Sequence, residues 1–227
     1  MTHTTAFGDR AFAALLFDMD GTVLTSIAAT ERVWSRWAEK HGLDVASFLP
    51  TIHGMRAIDT VRRLALPGVD AQAEAQDLFD AEMLDVGGIA PIDGALEFLS
   101  SLPHGRWAIV TSASRALAEV RLGAAGIPLP TVLITAEDVE RGKPAPDGFR
   151  LAADKLGFDV RDCIVFEDAP AGIQAGEAAG ATVAVVTTTH SHDIGTRHPT
   201  IDSYSHLRAT SDGGGAIRIN EVLAEIA

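Results

Sequence analysis

The sequence predicts an α/β fold, in which a doubly wound parallel sheet carries an inserted domain of helices. Three observations support this fold class. Short apolar runs recur along the 227 residues, and helix-like stretches separate the later runs from one another. About 90 residues with helical periodicity lie between the first run and the second. Alternation of strands and helices is typical of βαβ units, so it favours parallel strands over a sandwich or a helical bundle.

The predicted strands are the apolar runs at residues 13–17, 107–110, 132–134, 164–166 and 183–186. The stretches between the later runs predict helices over 116–125, 147–156 and 171–179. These three helices run into Gly126, Gly157 and Gly180, which suit helix ends because glycine readily adopts the left-handed conformation. A further helix over 94–102, with Asp93 as its N-cap, is expected to return the chain to the sheet.

The long segment between the first two strands predicts a helical insertion. Apolar and aromatic residues recur there at helical spacing, and they include Trp34 and Trp37. We therefore expect an inserted helical domain over residues 26–91, with the sheet and its own helices built from 1–25 and 92–227. The two tryptophans could form an aromatic platform for a sugar, but their spacing favours packing between cap helices.

The charge balance narrows the class of ligand. With 18 Lys+Arg against 31 Asp+Glu, the net charge is −13, which argues against nucleic acid and anionic membrane surfaces as partners. The apolar run at 11–17 is too short to span a membrane, and Asp9 and Arg10 before it do not suit a signal peptide. The single cysteine, Cys163, is expected to be buried and fits a reducing compartment. We expect a soluble, cytoplasmic protein that is a monomer rather than an oligomer.

Polar residues follow the predicted strands at the points where the strands end. Asp18 and Asp20 come directly after the first strand, and the two-residue period of an extended chain aims both carboxylates the same way. The second, third and fourth strands are followed by Thr111-Ser112, by a loop that contains Lys143, and by Glu167-Asp168. Because open α/β sheets bind ligands at the carboxyl ends of their strands, we expect these groups to form one site.

In this order, the motifs resemble those of the haloacid dehalogenase superfamily of phosphoryl-transfer enzymes. The resemblance runs from about Leu15 to Thr189. Within it, His53-Gly54-Met55-Arg56, Gly142-Lys143-Pro144 and the segment 166–173 are similar to the branch that acts on 2-deoxyglucose 6-phosphate, glycerol phosphate and hexitol or hexose phosphates. The resemblance implies a Mg²⁺-dependent phosphatase whose partner is a small phosphorylated sugar or polyol.

The resemblance also implies a chemical role for each of the reacting groups. Asp18 would attack phosphorus to form an aspartyl-phosphate, and Asp20, oriented by Thr22, would act as general acid and base. A carboxylate and a phosphate about 4 Å apart repel by ~4 kcal/mol per charge pair at an effective dielectric near 20, so a cation is needed. Mg²⁺ would be held by the side chains of Asp18 and Asp168 and by the backbone carbonyl of Asp20. Glu167 would hold a metal-bound water.

Other residues would bind the phosphate and the sugar. Lys143 would place its charge on a phosphoryl oxygen, and Ser112 would bind another. The remaining contacts with substrate are expected of Thr22, Thr111 and Arg115 in the catalytic core, residues 1–25 and 92–227, and of His53 and Arg56 in the helical cap, residues 26–91.

Two rival functions stay open at this point. A phosphomutase would return the phosphate to sugar, but Thr30 stands where related mutases carry a cap histidine. A non-catalytic phosphosugar sensor would have no use for Asp20 beside Asp18. Thr25 stands where relatives commonly carry an aspartate, so any contact made by that aspartate is missing. His190 and His192 have the spacing of a metal pair, but without an evident third ligand a solvated tail is expected.

Overall fold

The computed structural model describes residues 7–190, 194–211 and 215–221. Its strands, in chain order, are β1 (Ala11–Phe12), β2 (Leu15–Phe17), β3 (Leu24–Thr25), β4 (Ala90–Pro91), β5 (Trp107–Val110), β6 (Val132–Ile134), β7 (Ile164–Glu167), β8 (Thr182–Val186), β9 (Thr200–Ile201), β10 (Leu207–Ser211) and β11 (Ile217–Glu221). Its helices are α1 (Ile27–Lys40), α2 (Val45–Phe48), α3 (Ala57–Leu64), α4 (Ala71–Leu84), α5 (Ala95–Ser101), α6 (Arg115–Ala124), α7 (Asp147–Leu156) and α8 (Pro170–Ala179). None of these described helices has the length and apolar character that a membrane span requires.

Six strands form a parallel sheet in the order β6-β5-β2-β7-β8-β9. β2 lies inside the sheet, where Leu15 pairs with Trp107 of β5 on one side and with Ile164 of β7 on the other. Helices α5 and α6 pack on one face, and α7 and α8 pack on the other. The predicted α/β class is therefore confirmed, and all five predicted strands are present. The edge strand β9 was not predicted.

The residues of β2 alternate between two apolar cores, one on each face of the sheet. Leu15 and Phe17 belong to the core under α5 and α6, whereas Leu16 belongs to the core under α7 and α8. The Phe17 ring stacks on Phe166 of β7, with 4.8 Å between the ring centroids. Cys163 is buried, as predicted. Because both faces are covered, β2 appears in the sequence as an unbroken apolar run, and it delivers Asp18 directly to the sheet edge.

The predicted helix ends are confirmed at two positions and corrected at one. Gly157 and Gly180 are the C-caps of α7 and α8, with left-handed φ values of 84° and 92°. The N-cap of α5 is Gly94 and not Asp93. The Asp93 carboxylate instead accepts a hydrogen bond of 2.6 Å from Ser203 Oγ, which lies 110 residues further along the chain. Local spacing could not reveal so distant a partner.

A second, antiparallel sheet joins the two ends of the described chain. β11 lies between β1 and β10, with Phe12 opposite Ile217. Ile217 and Ile219 are buried, while Arg218 between them is exposed, which is the alternation of a half-buried strand. We predicted no strand in this tail, so this sheet is an addition to the expected core.

Helices α1 to α4 share an apolar core of their own. They lie between β3 and β4, which pair antiparallel with Leu24 opposite Pro91. Trp34 and Trp37 lie at the centre of this core, edge to face, with 5.5 Å between the ring centroids. The tryptophans therefore pack between helices, as their spacing predicted. The chain enters and leaves this helical insert through one pair of strands.

Two leucines on α4 test how much the helical insert depends on its own core. Leu78 is 2% exposed, whereas Leu84 on the same helix is 87% exposed. Leu78→Ala removes buried surface and leaves a cavity, so we expect the free energy of unfolding to fall by about 2–5 kcal/mol. Leu84→Ala is the matched control and should change it by less than ~0.5 kcal/mol. Equal losses in urea denaturation would contradict the observed packing.

Candidate active site

Three parallel strands and one loop bring polar residues to the same edge of the sheet. Asp18 follows β2, Thr111 follows β5 and Asp168 follows β7. Glu167 is the last residue of β7, and Lys143 lies in the loop between β6 and α7. Because β2, β5 and β7 are parallel neighbours, their carboxyl ends meet at this edge.

Three buried carboxylates form the centre of the candidate site. Asp18, Glu167 and Asp168 each offer one oxygen, and these oxygens lie within 4.8 Å of one another. Lys143, itself buried, donates hydrogen bonds to Asp18 Oδ1 and to Glu167 Oε1, the latter at 2.6 Å. One ammonium group therefore donates hydrogen bonds to two of the three carboxylates.

Glu167 is held through both of its carboxylate oxygens. Oε2 accepts hydrogen bonds from the backbone N–H groups of Asp168 at 2.8 Å and Ala169 at 2.9 Å, just before α8. Oε1 accepts the hydrogen bond from Lys143. Gly172, on the first turn of α8, makes room for this carboxylate, because a Cβ there would lie 1.5 Å from Oε1. Glu167 thus holds the backbone just before α8 and orients Lys143 at the same time.

The charges in this cluster do not balance. Burial raises the pKa of Asp18 from 3.8 to about 7, and the charges of Glu167 and Asp20 add to a rise that Lys143 only partly opposes. Burial also raises the pKa of Asp168, with further contributions from Glu167 and Asp18. Burial alone would lower the pKa of Lys143, but its two carboxylate partners raise it above its usual value. The donor set fits Mg²⁺, because hard carboxylate oxygens are its preferred ligands and its charge offsets the excess.

The turn after β2 separates Asp20 from Thr22. Gly21 has a φ of +87°, which glycine adopts without strain. A Cβ on Gly21 would lie 2.0 Å from Asp168 Oδ2, so the turn packs directly against that carboxylate. The hydroxyl of Thr22 donates to Asp168 Oδ1 at 3.5 Å. The expectation that Thr22 orients Asp20 is therefore corrected, because the turn directs Thr22 toward Asp168.

Asp20 is held by two residues that the sequence analysis missed. Its Oδ1 accepts hydrogen bonds from Ser26 Oγ at 2.6 Å and from Arg121 Nη1 at 3.0 Å. Arg121 lies on α6, on the same buried face as Leu117 and Ala118. A charged residue on the apolar face of a helix is seldom buried without a partner, and this signal could have identified Arg121.

The two hydroxyls after β5 lie beside the carboxylates. Ser112 Oγ donates to the backbone carbonyl of Gly54 at 2.9 Å and so connects the sheet to the helical insert. Thr111 Oγ1 accepts a hydrogen bond from the backbone N–H of Ala113 at 3.0 Å. Both residues line the same cavity as Asp18 and are therefore within reach of a ligand bound there.

A cavity of about 490 Å³ lies between the carboxylates and the helical insert. Asp18, Asp20 and Asp168 line it on the side of the sheet. On the opposite side, α1, α3 and α4 contribute both apolar and amide-bearing side chains. These include Ile27, Trp34, Ile58, Gln72, Gln76 and Phe79. The cavity thus joins an acidic floor to a wall of mixed polarity.

The segment before α3 brings both predicted cap residues to this cavity. His53 Nε2 lies 3.7 Å from Glu31 Oε1, and burial lowers the pKa of His53 although Glu31 opposes the shift. Arg56 Nε donates to Asp59 at 2.5 Å, and its Nη1 donates to the carbonyl of Glu140 at 3.2 Å. Arg56 therefore spans from the insert to the loop that carries Lys143.

Arg115, by contrast, does not line the cavity. Its Nη2 donates to the carbonyl of Leu133 at 3.1 Å and to Asp138 at 3.0 Å. Arg115 is the first residue of α6, directly after the N-cap Ser114, and its side chain reaches outward to the acidic turn after β6. The expected contact of Arg115 with substrate is therefore not supported by its position.

His190 lies beside the site and not in a solvated tail. Its Nε2 is 2.9 Å from the backbone oxygen of Asp168, and the residue is half-buried. His192, the other member of the predicted pair, lies outside the described residues. His190, which follows β8, thus contacts the backbone of Asp168. No local pattern in the sequence indicates this contact.

Asp18→Asn tests the charge imbalance through stability. The folded protein keeps the Asp18 proton up to about pH 7, whereas the unfolded chain releases it near pH 3.8. The free energy of unfolding of the wild type therefore decreases as the pH rises from about 4 to 7, because the unfolded chain releases this proton more readily than the folded protein does. In EDTA, we expect the stability of the variant relative to wild type to increase over this range and then level off. Urea denaturation at several pH values measures this difference in the free energy of unfolding. A difference that decreases with pH would contradict the excess of negative charge around Asp18.

Comparison with known proteins shows which relatives the chain has. Residues 12–180 match the model of a haloacid dehalogenase-like hydrolase family. The chain is 45% identical to hexitol phosphatase A of Escherichia coli over 175 residues, which cover 75% of this chain and 81% of that one. It is 33% identical to 2-deoxyglucose-6-phosphate phosphatase 2 of Saccharomyces cerevisiae over 204 residues, which cover 79% and 81% of the two chains.

A solved structure shares the fold. β-Phosphoglucomutase from Clostridium difficile superposes with a TM-score of 0.73 at 20% identity, covering 87% of this chain and 93% of that one. An identity this low shows the fold alone. The family match and the two sequence relatives cover most of the chain and confirm the resemblance seen in its motifs. The chain belongs to the haloacid dehalogenase-like hydrolase family.

Proposed function

We propose that the protein is a Mg²⁺-dependent phosphatase that releases inorganic phosphate from small phosphorylated sugars or polyols. The observation that carries this proposal is the buried cluster of Asp18, Glu167, Asp168 and Lys143, of which Asp18 and Asp168 line the cavity. The cavity volume of about 490 Å³ lies in the usual range for small-molecule sites. The names of the two sequence relatives, phosphatases of hexitol and of 2-deoxyglucose 6-phosphate, support the same substrate class.

Mg²⁺ would be held by the side chains of Asp18 and Asp168 and by the backbone carbonyl of Asp20. Bound there, it would offset the repulsion between Asp18 and a phosphate and polarise a phosphoryl oxygen. Glu167 would hold a metal-bound water, as the resemblance implies. The hydrogen bonds that its oxygens accept also hold Lys143 and the backbone before α8 in place.

The first half of the proposed reaction transfers the phosphoryl group to the protein. A carboxylate oxygen of Asp18 attacks phosphorus, and the bond between phosphorus and the sugar oxygen breaks. Asp20 gives its proton to that leaving oxygen, so the sugar departs as a neutral alcohol. Lys143 is hydrogen-bonded to Asp18 and can place its charge on a phosphoryl oxygen. Thr111 and Ser112 offer hydroxyls to the other oxygens.

The second half releases the phosphate. Water attacks the phosphorus of the aspartyl-phosphate while Asp20 takes a proton from that water. The bond between phosphorus and the Asp18 oxygen breaks, which restores the carboxylate and frees inorganic phosphate. Asp20 is then protonated again, as the next turnover requires.

The helical insert, residues 26–91, is proposed to act as a cap over the reacting groups. Gln76 and Phe79 of α4 offer a hydrogen-bonding and an apolar surface, which suit the hydroxyls and the carbon faces of a polyol. His53 and Arg56 line the same side of the cavity and are proposed to contact the sugar. A closed cap would exclude bulk water while the phosphoryl group moves.

Thr30 favours hydrolysis over transfer of the phosphate back to sugar. It stands where the resemblance to related mutases would require a cap histidine, and its Oγ1 accepts a hydrogen bond from Arg121 Nη2 at 3.1 Å. A threonine hydroxyl cannot replace a histidine in proton transfer near neutral pH. Asp20, placed beside Asp18, disfavours a protein that only binds phosphosugars.

Phosphate release from a substrate panel tests the proposal. The protein is incubated with Mg²⁺ and with hexitol, hexose, deoxyhexose and glycerol phosphates, and inorganic phosphate is measured. We expect turnover that EDTA removes, and a kcat at least ~10³-fold lower in Asp18→Asn because the nucleophile is lost. Circular dichroism checks that the variant is folded. No release from any substrate would refute the proposal, and conversion of a hexose 1-phosphate to the 6-phosphate with little free phosphate would indicate a mutase.

A further inference from the structure

A group of three charges, two of them buried and one partly exposed, links the sheet to the helical insert beside the reacting atoms. Arg121 of α6 lies between Asp20, which follows β2, and Glu82 of α4. Arg121 Nη1 donates to Asp20 Oδ1 at 3.0 Å, and Nη2 lies 3.3 Å from Glu82 Oε1. The side chains of Arg121 and Glu82 are only 8% and 10% exposed. At this burial, each charge depends on its protein partners and not on solvent.

Two residues of α1 complete the contacts of this triad. Arg121 Nη2 donates to Thr30 Oγ1 at 3.1 Å. Trp34 Nε1 donates to Glu82 Oε1 at 3.3 Å. The guanidinium therefore touches one residue next to the sheet and two residues of the insert. Because its donors form a rigid planar fork, these contacts fix the position of Asp20 relative to α1 and α4.

The same contacts distinguish the two carboxylate oxygens of Asp20. Oδ1 accepts the hydrogen bonds from Ser26 Oγ, at 2.6 Å, and from Arg121. No residue in the described part of the chain donates a hydrogen bond to Oδ2. Donors on Oδ1 stabilise negative charge there, so Oδ2 is left as the oxygen that carries and transfers a proton.

We propose that Arg121 is a positioning residue for Asp20. Glu82 and Thr30, both in the insert, hold the Arg121 guanidinium in place, so proton transfer by Asp20 requires the insert to cover the cavity. The inference rests on the proposed phosphatase function and assigns Arg121 no contact with the reacting atoms. If the insert moved away, Arg121 would lose two of its three partners, and Asp20 would lose its fixed orientation.

The leaving group separates this positioning role from a general structural one. A polyol oxygen needs a proton from Asp20 as its bond to phosphorus breaks. Acetyl phosphate releases acetate, which is a stable anion and needs no proton. Asp20 therefore assists the first step, which kcat/KM reports, for the polyol phosphate and not for acetyl phosphate, whereas the second step is the same for both. Because general acid catalysis contributes roughly 10²–10⁴-fold, a misplaced Asp20 should lower kcat/KM for the polyol phosphate and spare kcat/KM for acetyl phosphate.

The experiment measures kcat and KM for a polyol phosphate and for acetyl phosphate, with Mg²⁺ present. In Arg121→Met, we expect kcat/KM for the polyol phosphate to fall about 10²-fold, while kcat/KM for acetyl phosphate changes by less than about threefold. The substrates are compared by kcat/KM because kcat also contains the second step, in which Asp20 acts on water for both. Arg121→Lys keeps the charge but lacks the fork, so it should recover roughly tenfold of this loss. Glu82→Gln weakens the anchor of Arg121 and should show the same selective loss at about tenfold.

Arg161→Met is the matched control, because Arg161 pairs with Asp159 and is 76% exposed. It should leave both substrates unchanged. Thermal unfolding establishes that each variant is folded, and if Arg121→Met is not, Arg121→Lys and Glu82→Gln decide the question. Equal losses on both substrates, or full activity of Glu82→Gln on the polyol phosphate, would overturn the inference. Absence of phosphate release by the wild type itself would overturn the proposed function as well.

Discussion

Repulsion among three buried carboxylates is the constraint on which the rest of this structure depends. Asp18, Glu167 and Asp168 bring oxygens within 4.8 Å of one another, and within the described chain Lys143 is the cation that hydrogen-bonds into this cluster. A pair of unit charges about 4 Å apart interacts by ~4 kcal/mol at an effective dielectric of 20. The cluster is therefore unfavourable when only anions and one lysine are present, and favourable around a divalent cation. A phosphate, itself an anion, would add to this repulsion unless such a cation were bound.

The fold maintains this unfavourable arrangement by leaving its members little freedom. β2 is packed on both faces, and Asp18 follows its last residue directly, so Asp18 lies at the sheet edge without an intervening loop. Glu167 is hydrogen-bonded to the backbone before α8, and its carboxylate occupies the space that a Cβ on residue 172 would fill. Gly21 similarly leaves room for the carboxylate of Asp168, because the turn at this glycine lies against that carboxylate. Burial and close backbone contact thus oppose the separation that repulsion favours.

The features that could be predicted from the sequence are those that a local pattern encodes. Five apolar runs identified five of the six strands of the parallel sheet, and the ends of these strands located Asp18, Lys143 and Asp168. Contacts between distant segments could not be predicted in this way. Arg121 meets Asp20 across 101 residues, and the β10–β11 hairpin pairs with β1 at the start of the described chain. Such partners are chosen by the packing of helices and sheets, which spacing along the chain does not specify.

The central claim is that this cluster is built for one divalent cation, and a calorimetric titration tests it most directly. Metal-free protein is titrated with Mg²⁺, beside Asp168→Asn and the surface control Asp159→Asn. The account predicts one Mg²⁺ per chain, an affinity at least ~10-fold weaker in Asp168→Asn, and unchanged binding in the control. Binding that survives Asp168→Asn at full affinity, or no binding by the wild type, would contradict the account.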